Sequence, residues 1–157
     1  KVLEALARDS GKTVLLYHHI LPTGVQASQL DPGHIPHVVS VLEAALADQT
    51  SRAVTRIEQA LQEHAGDAEA LSLATEAAVG DLGEVVLNMS NNDGFGDAEV
   101  LALAAGIAEM LERRPQLRGA MAELWLHHTS VGCSGNGVGA TALASILIAA
   151  PAVKVRV

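Results

Sequence analysis

The side chains able to do chemistry fall into a few groups. Seven histidines cluster as His18-His19, His34-x-x-His37 and His127-His128, with His64 alone. Zinc needs three or four ligands that converge on one point. Pro36 confines His34 and His37 to a turn or a first helical turn, so surface or interface histidines are the expectation. Cys133 is the single cysteine, with Ser130 and Ser134 beside it and His127 and His128 upstream. A nucleophile needs an oriented base, and closeness in sequence does not supply one. Ser10-Gly11-Lys12-Thr13 has the ending of a phosphate-binding loop, but Leu6 stands where the earlier glycine belongs, and a strand-like run follows instead of a helix. Gly135-x-Gly137-x-Gly139-Ala140 has the glycine spacing of a dinucleotide fingerprint. It does not follow a strand directly, and no acid stands at the right distance beyond it. Asp67, Asp97, Glu109 and Glu112 sit at helix starts or on helix faces, where capping and solvation explain them. The expectation is a chain that is no enzyme and needs no metal or cofactor. Thermal melts with and without a chelator should then coincide, and a large fall in melting temperature with chelator would assign the histidines to a metal.

The composition limits what must position these groups. The 157 residues amount to one domain. Apolar residues are 49% and charged ones 18%, which argues against disorder. Tyr17, Phe95 and Trp125 are the only aromatics, so the core must be built from Leu, Val, Ile and Ala. That suits helices packed closely on one another or on a sheet, and not an aromatic surface for stacking RNA bases. Ten basic against 18 acidic residues give −8, which argues against a nucleic-acid or anionic-membrane partner. A lone cysteine allows no intrachain disulfide and points to a reducing, cytoplasmic setting. No uncharged apolar run reaches the length of a membrane span, Gly137 to Val153 coming nearest, and no signal peptide is visible.

Along the chain, Val2, Leu3 and Leu6 read as the end of a helix through residue 8, stopped at Ser10-Gly11. Strands are expected near 13–17, 84–89, 123–126 and 153–157. A helix from near Pro36 has Val38, Val41, Leu42, Ala45 and Leu46 on one face. Residues 51–79 are ambiguous. Val54, Ile57 and Leu61 recur at helical spacing, Gly66-Asp67 breaks the pattern, and Asp67 is placed to cap a second helix. A polar turn, Ser90 to Gly96, leads to Asp97 as the expected N-cap of a helix over 98–113. A small-residue helix over 139–149 precedes Pro151 and the last strand.

Three segments align without gaps: Leu15-Leu16-Tyr17-His18-His19-Ile20, Leu87-Asn88-Met89-Ser90-Asn91-Asn92 and Leu124-Trp125-Leu126-His127-His128-Thr129. They start 72 and 37 residues apart. The first spacing leaves room for a divergent unit between them. Similar helix entries follow, as in Gly96-Asp97-Ala98-Glu99-Val100-Leu101 and Gly66-Asp67-Ala68-Glu69-Ala70-Leu71. The pattern resembles the leucine-rich repeat family, in its ribonuclease-inhibitor-like class, where L-x-x-L-x-L-x-x-N, a turn and an Ala/Leu-rich helix recur every roughly 28 or 29 residues. The best match is Met121-x-x-Leu124-x-Leu126-x-x-Thr129, and Asn92 fills the asparagine place of its block. Lys12 and Glu84 stand in place of the first leucine, and Ile20 and Thr129 in place of the asparagine. The loops 21–34 and 130–137 exceed the family's, and 51–65 match poorly.

The resemblance implies an α/β solenoid with one parallel strand and one helix per repeat. Its units would fall near 12–50, 51–82, 83–120 and 121–152, after a helix end at 1–11 and before a further strand at 153–157. An open α/β sheet and an all-helical fold are the alternatives. The opening inside a helical pattern and the valine-rich end lead us to expect a piece of a longer array, whose exposed ends would make it associate in isolation. The resemblance further implies a protein-interaction scaffold that uses the strand face, within a larger assembly. Strand residues alternate faces, so the expected binding residues are Leu16, His18, Asn88, Ser90, Glu123, Trp125 and His127, with Val14 and Val86 beside them. The competing function is an enzyme or small-ligand domain with its site at the strand C-termini. Strand order and the placement of helices discriminate the two.

Overall fold

Short runs rich in Leu and Val, bounded by Gly, Asn and Pro, make strands; longer Ala/Leu runs make the helices that return the chain. The computed structural model describes residues 7–9, 12–80 and 85–157. The elements are β1 (Ala7–Asp9), β2 (Lys12–Leu16), α1 (Tyr17–Ile20), α2 (Ile35–Glu63), α3 (Ala68–Gly80), β3 (Val85–Asn88), α4 (Asp97–Arg113), β4 (Met121–Trp125), α5 (Val138–Ala149) and β5 (Lys154–Arg156). The strands lie in sequence order, β1 to β5. β2, β3, β4 and β5 are parallel, and β1 runs antiparallel to β2. Parallel neighbours require a long return. It is supplied by α2 and α3, then α4, then α5. The chain is therefore a mixed α/β protein with four parallel strands in an open sheet.

The register of that sheet is the gapless alignment read from the sequence. Leu15 lies opposite Leu87, Leu87 opposite Leu124, and Leu124 opposite Val155. The next row is Leu16, Asn88, Trp125 and Arg156. Leu15, Leu87 and Leu124 are buried in one core with α2, α4 and α5. A register shift against Val85 and Val86 adds one residue to β4. That bulge puts Met121 on the same buried side as Leu124, three residues on, and accounts for the Met121-x-x-Leu124-x-Leu126 spacing. Helix approach is close: a Cβ on Gly106 of α4 would stand 2.7 Å from Cγ2 of Val39 on α2.

Several expectations are corrected. Residues 7–9 are a strand where a helix end was expected, because ladder bonds to β2 outweigh the weak tendency of so short a helix. Val2, Leu3, Leu6, Ser10, Gly11 and Glu84 lie outside the described residues. Tyr17 leaves the strand expected at 13–17 and starts the one-turn helix α1, which also holds His18. The ambiguous stretch 51–79 holds the C-terminal part of the 29-residue helix α2 and then α3, which packs on it. Asp67 does cap α3, its Oδ1 accepting from Ala70 N at 3.0 Å. β2 pairs directly with β3, so no strand of a unit at 51–82 stands between them. Asp97 is the first residue of α4, and Gly96 is its N-cap. Gly96 N donates to Glu99 Oε2 at 2.9 Å, which leaves the Asp97 carboxylate free for another use.

Candidate functional site

The sheet has one face against the helices and one away from them. On the second, the rows run Val14, Val86, Glu123, Lys154 and then Leu16, Asn88, Trp125, Arg156. The ladder continues past the strand ends, where Met89 N donates to Trp125 O and Asn91 N to His127 O. Ser90 and His127 are thus neighbours. Of the expected binding residues, His18 and His127 are exposed, and Leu16, Asn88 and Trp125 are half-buried. Ser90 and Glu123 are buried, as is Val86, so the face is less open than strand alternation alone implies.

Trp125 is tied down by its neighbours. Its Nε1 donates to Glu123 Oε2 at 2.5 Å. The same oxygen accepts from Arg156 Nε at 2.7 Å, and Arg156 Nη2 stands 3.3 Å from Glu123 Oε1. The guanidinium carbon lies 5.9 Å from the Trp125 ring centre, within reach of a cation–π contact. A carboxylate with only 4% of its side chain exposed needs such partners. The tryptophan therefore has a supporting role beside any binding one. The sequence signal was available: Glu123 and Trp125 are two apart in one strand and so share a face.

The glycine-rich loop is structural. Gly132 N donates to Asp97 Oδ1 at 2.6 Å, and Ser134 Oγ donates to Asp97 Oδ2. A Cβ on Gly139 would collide with that carboxylate. The Ser134 hydroxyl first, then the Gly132 amide, hold the Asp97 carboxyl below its usual range, against a small opposing effect of burial. An acid with a lowered folded-state pKa stabilises the fold above its ordinary value and loses that contribution as pH falls through the lowered one. Asp97→Asn should therefore lower the melting temperature at neutral pH. The gap from wild type should close as pH falls below 3.8. A gap unchanged from neutral pH to about pH 3 would mean that Asp97 acts through packing alone.

The other candidates do not assemble. Cys133 is exposed in that loop. His34 Nδ1 accepts from Asp31 N at 3.2 Å, a turn duty. The rings of His18 and His19 pack edge-on at 4.1 Å. Among the described residues no three His, Cys, Asp or Glu side chains gather where a metal could sit. Lys12 and Thr13 of the phosphate-loop-like run lie in β2. No described helix is long and apolar enough to cross a membrane. A shallow recess at the ends of β2 and β3 is lined by Leu16, Tyr17, His18, Asn88, Ser90 and Asn91, and so brings together four of the expected binding residues with Tyr17 and Asn91, which the sequence reading did not single out.

Fold and site together define a mixed α/β chain with four parallel strands, whose strand face carries the Glu123–Trp125–Arg156 cluster. Comparison with protein families, with curated proteins and with solved structures finds no match.

Proposed function

We propose that this chain is a divergent leucine-rich-repeat solenoid of the ribonuclease-inhibitor-like class, acting as a non-enzymatic scaffold that binds a protein partner on its strand face. The observation that carries this reading is the row Leu15, Leu87, Leu124 and Val155, in register across four sequential parallel strands. Stacked strand–helix units bury such a row jointly, because one unit cannot cover its own apolar face. The asparagine place supports the reading as well. Asn92 is fully buried, and its Oδ1 accepts from Gly94 N at 3.1 Å. Its Nδ2 has no partner, so the asparagine bonding does not continue into the neighbouring blocks, where Ile20 and Thr129 stand. Helices α2 and α3 replace a regular unit with a helical insertion. The lone cysteine supports an intracellular, cytoplasmic setting.

Tryptophan is over-represented among interface hot spots, and Trp125 stands half-buried on the strand face at the C-terminal end of β4. Peptide ligands selected from a display library on the immobilised chain test the reading. Trp125→Ala should weaken the selected ligands by about 30-fold or more, while Glu109→Ala, an exposed change on α4, should leave them unaffected. Ligands that lose affinity with the helix change and keep it with Trp125→Ala would place the binding surface on the helices.

A further inference from the structure

Helices α4 and α5 pack along each other on the far side of the sheet from the strand face. Between them, towards their C-terminal ends, lies a groove of about 320 Å³. Ala108, Leu111 and Ala149 line it, and Glu112, Arg118 and Ile148 stand exposed along it. Helix α5 has no charged residue from Val138 to Ala149. Ile148 is 82% exposed, and Leu147 beside it 41%. An aliphatic side chain left in water beside a groove of this kind marks a surface that another protein covers. The charges at the groove are also unspent. Arg113 and Arg114 are taken up by Glu43, but Glu112 and Arg118 have no ion-pair partner among the described residues.

We propose that this groove is the contact between two copies of the chain, related by a two-fold axis, with Ile148 of each copy laid over Ala108 and Leu111 of the other. In such an interface a residue that touches a second one is touched by it in return, so the surface must complement itself. One acid and one base at the groove meet that condition, because Glu112 of each copy then faces Arg118 of the other. The whole chain carries −8, which opposes association, while the groove is neutral. The β5 edge, the other place where copies could meet, does not complement itself. Antiparallel pairing centred on Val155 sets Lys154 against Arg156 of the other copy, like charges directly opposed. A dimer through the helices leaves both strand faces open, and a partner with two matching segments is then held bivalently. The inference stands apart from the strand-face reading, since the two surfaces lie on opposite sides of the sheet.

Sedimentation equilibrium of the purified chain over a dilution series tests it. A monomer–dimer equilibrium is expected, with nothing larger. Ile148→Asp should raise the dimer dissociation constant at least about tenfold, since each copy then brings a charge to an apolar contact. The melting temperature of the dilute monomer should not fall, because so exposed a side chain contributes little to its own fold. Glu112→Arg should weaken the dimer about tenfold or more, and Glu112→Arg combined with Arg118→Glu should restore it. Rescue by the exchanged pair reports a contact across copies, which a change of fold within one copy does not give. A chain that stays monomeric up to about 1 mM, a dimer indifferent to Ile148→Asp, or a double variant no tighter than Glu112→Arg would overturn the proposal. So would a dimer tightened by Lys154→Glu, which would move the contact to the β5 edge.

Discussion

Phe95→Ala is expected to destabilise the chain by about 3–5 kcal/mol, the range for truncating a buried phenylalanine. At this chain length that is a drop of roughly 10 °C in melting temperature. Phe95 sits in the turn between β3 and α4 and is fully buried, in a core otherwise made of aliphatic side chains, Met and Ala. Its backbone is anchored on both sides: its N–H donates to Asn92 O, and its carbonyl accepts from Ser130 N. Alanine would leave the backbone bonds and empty the space beneath two loops, a cavity that cannot collapse without moving both. Calorimetry on the purified variant measures it. A loss under about 1 kcal/mol would mean that the turn is loosely packed and Phe95 is not an anchor.

The second large effect separates the two sheet faces. Leu124→Ala should cost about 2–5 kcal/mol, because Leu124 is fully buried between Leu87 and Val155. Trp125→Ala should cost less, roughly 1–3 kcal/mol, mainly because Glu123 loses the indole donor while staying buried. His127→Ala, exposed past the end of β4, should fall within about 0.5 kcal/mol of wild type. Denaturant midpoints of the three variants give the order directly. Trp125→Ala proving as damaging as Leu124→Ala would mean that the indole is a core element, and the binding surface assigned to it would fall.

The fold was legible where side-chain period and strand register are the same thing. Leu15, Leu87 and Leu124 could be aligned by eye because each is followed by an apolar residue two places on, and that period of two is the pleat. The long helix α2 was harder to see. Beyond Gln49 its face thins to Ala53 and Ala60 as buried positions, and Val54 and Leu61 are exposed, so the apolar stripe that marks a helix fades before the helix ends. The strand β1 depends on pairing to β2, a contact that three residues carry no local sign of. Asp97 was placed as a cap because its type and position suit one, yet a glycine with a glutamate three residues on serves equally. The site was legible as a set of positions on one face. Its burial was not, since the Glu123–Arg156–Trp125 cluster joins β4 to β5, 31 residues further along the chain from Trp125 to Arg156, and a strand pattern does not reveal which neighbour arrives beside it.

Hydrogen exchange of the chain with and without a selected ligand is the most direct test of the scaffold reading. Binding on the strand face predicts slowed exchange confined to 13–18, 85–91 and 121–128, with α2, α4 and α5 unchanged. Slowed exchange in α2, α4 or α5, with the strand segments and their C-terminal ends unaffected, would contradict it.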